Sequence, residues 1–132
     1  MAHSIQIVGE HVEIFKDSDL LSLVVLLNRL AVEEDFHMSK ARGIIKQWHT
    51  KCEVHGPGTL DLELDVIVND PVSRSEIDRA LSLLEGKVKE FGMFVPAECL
   101  NANKLRGIRF VDYDTNFVLS TIKRVRSLIA VD

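Results

Sequence analysis

The chain contains few cysteines, which cross-link small proteins, and few prolines and glycines, which interrupt helices and strands. Its 132 residues include two cysteines, three prolines and seven glycines. A chain of this length can bury about two thirds of its unfolded surface, so it needs no disulfide to hold its core. We therefore expect Cys52 and Cys99 to be reduced, and the sequence leaves open whether they pair.

Long apolar runs and a basic excess are also missing. The longest apolar stretch, residues 20–27, is interrupted by a serine and is too short to span a bilayer. The first four residues lack the basic segment and apolar run of a secretory leader. The net charge of -4 gives no reason to bind nucleic acid or an anionic membrane. We expect a single globular domain, residues 1–132, in the cytoplasm, without membrane or nucleic-acid contacts.

What the sequence does have is charge that alternates in blocks. Residues 1–38 carry seven acids and two bases, residues 59–70 carry four acids and no base, and residues 104–132 carry three acids and six bases. If these blocks fall on different sides of the fold, the molecule has a negative face and a positive face. Such an arrangement favours oriented docking on charged partners.

The beginning of the chain predicts a β-hairpin. Residues 4–8 and 11–15 alternate in polarity, and Gly9 with Glu10 makes a two-residue loop in which glycine suits a type II′ turn. This turn fixes a register that pairs four aliphatic residues on one face. These four residues are Ile5, Ile7, Val12 and Ile14.

Four segments have the periodicity of helices. Residues 20–32 are apolar on nearly all sides, which predicts a central helix that the others surround. Ser39 is suited to cap the second helix, and Ser73 with Glu76 predicts a capping box before the third. The apolar faces of the three outer helices contain Ala41, Ile44, Ile45, Trp48 and Cys52, then Ile77, Ala80, Leu81, Leu84, Val88 and Phe91, and finally Val118, Ile122, Val125 and Ile129.

Residues 58–68 predict a core strand. Leucine and valine alternate there with Asp61, Glu63 and Asp65, so the three carboxylates would form a stripe on the exposed face. Residues 93–95 and 105–113 predict further strands, before a last helix capped by residue 114 or 115. The order ββααβα(β)βα indicates an α+β, or mixed α/β, domain with a small sheet of three to four strands and about four helices.

The acidic stripe has three interpretations. It is a solvated strand face, a docking surface for a basic protein, or a site for Mg²⁺ or Mn²⁺. Asp61-Leu62-Glu63 resembles the carboxylate pair of nucleotidyltransferases, which implies a metal-dependent phosphoryl- or nucleotidyl-transfer enzyme with Asp112 as a third ligand. The resemblance covers about one strand, and the Gly-Ser turn and helix that precede the pair in that family are missing.

A second cluster has residues that bind zinc. His49, Cys52 and His55 are spaced by three residues, so the first two could share a helix face while the third closes from the loop. Against this, Cys52 already continues the apolar face of the second helix. The chain also lacks a phosphate-binding loop, a dinucleotide fingerprint and a nucleophile elbow, so we expect no cofactor.

These observations favour a protein-binding role over an enzyme. We expect a small acidic domain, of the inhibitor or immunity type, that neutralises a basic partner such as a toxin or nuclease. The residues expected to contact this partner are Asp61, Glu63, Asp65, Glu10 and Glu13. Self-association stays open, because the acidic strand of one copy could meet the basic last helix of another.

Overall fold

The computed structural model describes residues 2–33, 37–54, 56–101 and 110–130. In chain order the elements are β1 (His3–Val8), β2 (His11–Lys16), α1 (Asp17–Glu33), α2 (Ser39–Val54), α3 (Leu64–Val68), α4 (Pro71–Lys89), β3 (Phe94–Val95), α5 (Ala97–Asn101), β4 (Tyr113–Asp114) and α6 (Thr115–Ile129). The α+β class is therefore confirmed. Within the described residues the strands form two separate antiparallel pairs, β1 with β2 and β3 with β4, instead of one sheet. Most of the strand predicted over 105–113 lies outside the described residues.

Helix α1 is the centre of the molecule, as its sequence predicts. Every residue from Leu20 to Leu27 is buried, and α1 packs against α2, α4, α5 and α6. A helix that is apolar all round must be covered all round, because each buried leucine or valine contributes roughly 1.5–3 kcal/mol only when water is excluded from it. The apolar faces predicted for the outer helices are largely buried against it.

The hairpin has the predicted turn and register, and its aliphatic face points outward. Gly9 has a φ of 60°, as a type II′ turn requires, and the strands pair Ile5 with Ile14 and Ile7 with Val12. These four side chains are exposed, however, and Ser4, Gln6, Val8 and Phe15 are buried instead. Alternation defines two faces of a strand without deciding which one points inward, so the sequence pattern did not predict this orientation.

The core strand predicted over residues 58–68 is wrong. Leu60 and Leu62 are buried, and their main-chain groups bond to side chains of β1 instead of to another strand. At Glu63 the chain turns with a left-handed φ of 53° and enters the short helix α3. A strand cannot continue through that conformation, since residues in strands have strongly negative φ.

The N-terminal caps of α2 and α4 differ from those predicted. Glu76 of α4 reaches across to α2, where its Oε1 accepts the N–H groups of Lys40 (3.0 Å) and Ala41 (3.2 Å). The capping box expected between Ser73 and Glu76 does not form, because the Ser73 hydroxyl donates to Asp70 at 2.6 Å. The cap of α6 is as predicted, with the Asp114 carboxylate accepting the N–H of Asn116.

Candidate protein-docking surface

The outer side of the hairpin carries a continuous aliphatic surface, which we call the hairpin face. It consists of Ile5, Ile7, Val12 and Ile14, which are 52%, 52%, 56% and 55% exposed. Directly opposite residues on one face lie about 5 Å apart, so the Ile5–Ile14 and Ile7–Val12 pairs lie side by side and form one patch. Patches of this kind, bordered by polar residues, mark interaction surfaces.

Arg124 of α6 connects the hairpin to the last helix through its guanidinium group. Its guanidinium lies 4.1 Å from the centre of the Phe15 ring. The same group donates to the carboxylate of Glu13 and to the main-chain carbonyl of Ile14, both at 2.6 Å. These contacts hold the hairpin face in one orientation, and they engage Glu13, which was predicted to contact the partner.

Glu10 and Asp65, two more of the predicted partner-binding acids, border one pocket. The pocket has a volume of about 450 Å³ and lies between the hairpin turn and α3, with Gly9, His11 and Val68 among its lining residues. Both acids are exposed, and within the described residues neither has a cationic partner. The fold therefore places two uncompensated negative charges beside one end of the hairpin face.

The other two predicted acids do not continue this surface. The Asp61 carboxylate accepts the N–H of Glu63 at 2.8 Å. Glu63 pairs with Lys51 at 3.1 Å and lines a pocket on the α2 side of α3. Asp65 faces the hairpin side. The single stripe of three carboxylates expected from a strand is therefore divided by the turn into α3, although Asp61 and Asp65 remain exposed.

The predicted metal ligands are not assembled in the described part of the chain. No group of three or more His, Cys, Asp or Glu side chains there could hold a metal ion. Asp112, the third carboxylate of the enzyme interpretation, accepts the N–H of Ala97 at the start of α5. The transferase hypothesis thus stays a prediction without a metal-binding group among the described residues.

The zinc hypothesis also lacks an assembled set of ligands among the described residues. His49 Nδ1 lies 3.4 Å from the Glu53 carboxylate, and Cys52 is buried in the core. Burial raises the pKa of Cys52 to about 12, whereas zinc binds the thiolate form. His55 lies outside the described residues, so the complete trio stays a prediction.

Two further expectations can be checked. Cys52 lies on α2 and Cys99 on α5, and no disulfide joins them. In the described ranges, no helix combines the length and the apolar character needed to cross a membrane.

Comparison of the chain with family models, curated proteins and solved structures gave no match.

The outward orientation of the hairpin face was not predicted from the sequence, although the sequence contains a signal for it. Phe15 is the largest apolar side chain of the hairpin, and it alternates out of phase with the four aliphatic residues. An aromatic residue has the most apolar area to bury, so its phase was a better indicator of the inner face than the number of aliphatic residues. Ser4 and Gln6 lie in the same phase as Phe15 and are polar, so this side of the hairpin looks like the exposed side in the sequence.

Proposed function

We propose that this protein is a protein-binding domain of the inhibitor or immunity kind, which docks a basic partner on the hairpin face. The observation that carries the proposal is the exposure of all four aliphatic side chains on that face. Their burial by a partner would exclude water from a contiguous apolar surface, which is the main source of affinity in protein interfaces.

The shape of the surface supports a protein partner over a small molecule. Small ligands bind in concave sites that bury most of their surface. The hairpin face is instead the outer side of a two-stranded sheet, whose inner side packs on the core through Phe15 and Val8. A flat aliphatic surface with charges at its border resembles the centre and rim of a protein interface.

The charges beside the face support a basic partner. Glu10 and Asp65 are exposed at the turn end of the hairpin face. Carboxylates at an interface rim attract lysine and arginine, which speeds association and selects among partners. A toxin or nuclease with a basic surface would fit this pattern. We therefore include in the proposal a toxin or nuclease as the partner and a cytoplasmic location for this protein.

Capture followed by binding kinetics tests the proposal. The immobilised chain is incubated with lysate of the cells that produce it, and the captured proteins are identified by mass spectrometry and purified. We expect a basic protein whose association slows about tenfold when Glu10→Lys and Asp65→Lys are combined, with the effect shrinking as salt is raised. Ile7→Thr with Val12→Thr should instead accelerate dissociation.

A matched variant separates this surface from net charge. Glu90→Lys at the C-cap of α4, combined with Glu98→Lys on α5, makes the same charge change at two exposed positions, and it should leave association nearly unchanged. Equal effects of the two charge variants, or capture that survives loss of the aliphatic side chains, would rule out the proposed docking surface.

A further inference from the structure

The two ends of the hairpin face carry opposite charge. Lys16 pairs with His3 at the open end of the hairpin. Both residues lie on the same face as the aliphatic pairs, and both are exposed. Glu10 is exposed at the turn. Six-residue strands separate these ends by about 17 Å, from the rise of a strand. The aliphatic patch therefore lies between a positive end and a negative end.

This arrangement is complementary to itself. Two sheets that pack face to face around a two-fold axis can have that axis along the strands or across them. An axis along the strands brings Lys16 of one copy beside Lys16 of the other, which is repulsive. An axis across the strands brings Lys16 of each copy to Glu10 of its partner, and it places the Ile5 and Ile14 pair of one copy on the Ile7 and Val12 pair of the other.

We infer that a second copy of this chain covers the hairpin face when no partner is bound, through a two-fold axis that runs across the strands. The inner side of the hairpin already packs on the core, so the dimer leaves this sheet covered on both sides. Because a two-fold contact uses the same patch on both copies, it closes with the hairpin face of each copy covered.

The size of the face sets the strength of the dimer. Four half-exposed aliphatic residues offer a few hundred Å² per copy, well below the roughly 800 Å² per partner of a standard interface. The dimer is therefore weak, with a Kd above about 1 µM, and it exchanges readily.

A weak dimer gives the docking surface a simple form of regulation. This step rests on the proposed function, since the basic partner and the second copy occupy the same face. The partner has to displace the second copy, so its apparent affinity falls as the concentration of this protein rises above the dimer Kd. The protein thereby keeps its aliphatic surface covered until a tighter-binding protein replaces the second copy.

Charge exchange tests the geometry of the dimer. Analytical ultracentrifugation of the full chain between about 5 µM and 1 mM should show a reversible monomer–dimer equilibrium. Lys16→Glu and Glu10→Lys should each weaken the dimer about tenfold, because each replaces both intersubunit ion pairs with like charges. The double variant, with Lys16→Glu and Glu10→Lys together, should restore dimerisation close to that of the wild type.

Two controls accompany these variants. Lys46→Glu makes the same charge change on the exposed side of α2 and should leave the dimer unchanged. Ile7→Thr with Val12→Thr keeps β-branched side chains, which preserve strand formation, and should abolish dimerisation with an unchanged circular dichroism spectrum. A wild-type chain that stays monomeric at 1 mM, a double variant that stays as weak as the single ones, or open-ended growth into larger species would each overturn the inference.

The monomeric Lys16→Glu variant also distinguishes the two proposals. It should bind the captured basic partner at least as tightly as the wild type, because Lys16 repels a basic protein and no second copy has to be displaced. Partner binding by a wild type that never dimerises would overturn only the dimer. Dimerisation without any partner contact at the hairpin face would overturn only the proposed function.

Discussion

The side chain of Gln6 bonds to the main chain of Leu62 where a neighbouring strand would otherwise do so. Gln6 Oε1 accepts the N–H of Leu62 at 2.9 Å, and its Nε2 donates to the carbonyl of Leu60 at 2.7 Å. Ser4 accepts the N–H of Leu60 at 3.0 Å. These bonds let an irregular segment lie buried against β1, because a buried main chain must have its polar groups satisfied. They also explain why the polar side of β1 faces inward and its isoleucines face outward.

Replacing Gln6 should therefore be costly. Gln6→Leu keeps the approximate volume but leaves the Leu60 carbonyl and the Leu62 N–H buried without partners, which should lower the free energy of unfolding by about 2–5 kcal/mol. Urea denaturation at neutral pH measures the loss. Gln47→Leu, the same substitution at an exposed position on α2, should change stability by less than about 0.5 kcal/mol. Similar losses for both variants would contradict the role assigned to Gln6.

Glu76 should stabilise the start of α2 from a distance. Glu76→Ala removes the acceptor for the Lys40 and Ala41 N–H groups and should cost about 1–2 kcal/mol, as expected for a lost helix cap. Glu76→Gln keeps an acceptor oxygen and should cost less. Hydrogen exchange should show faster exchange of these two amides in Glu76→Ala, while Glu98→Ala leaves them unchanged. Unaltered protection in Glu76→Ala would show that the cap contributes nothing.

Asp70 should make stability depend on acid pH. Hydrogen bonds from Lys40 and Ser73 lower its pKa from 3.8 to about 2. A carboxyl with a lower pKa in the folded than in the unfolded state contributes stability above about pH 4, and that contribution disappears as the pH falls to about 2. Asp70→Asn should therefore have a lower Tm than the wild type at pH 5 and about the same Tm near pH 2.

Titration of the Asp70 carboxyl separates the contributions of Lys40 and Ser73 to its lowered pKa. In a carboxyl carbon NMR titration, Lys40→Met should move the pKa of Asp70 further back toward 3.8 than Ser73→Ala does, because Lys40 makes the larger contribution. A wild-type midpoint near 4 would contradict the predicted pH dependence.

The two cysteines should differ in reactivity. Cys52 is buried on α2, and burial raises its pKa to about 12, so almost none of it is thiolate at pH 8. Cys99 is only partly buried on α5. Because alkylation requires an accessible thiolate, iodoacetamide at pH 8 should label Cys99 first and Cys52 only after unfolding in urea, as measured by peptide mass spectrometry. Rapid labelling of native Cys52 would show that the helix packing around it opens readily.

Much of the local structure was determined by the sequence. The type II′ turn at Gly9 and the register of the hairpin follow from two adjacent residues and the alternation beside them. The burial of α1 follows from an apolar run that leaves no polar side. In each case the deciding interactions lie within a few residues, where turn geometry and helix periodicity act directly.

Only the tertiary structure decided how these pieces face one another. The hairpin turned its aliphatic residues outward because Ser4 and Gln6 bond to Leu60 and Leu62, which lie 54 to 56 positions away along the chain. The same bonds replaced the predicted strand with an irregular segment, and the left-handed turn at Glu63 then divided its acids. Alternation in a sequence defines two faces of a strand, but which face is buried depends on the free energy of contacts with distant segments that a local pattern does not contain.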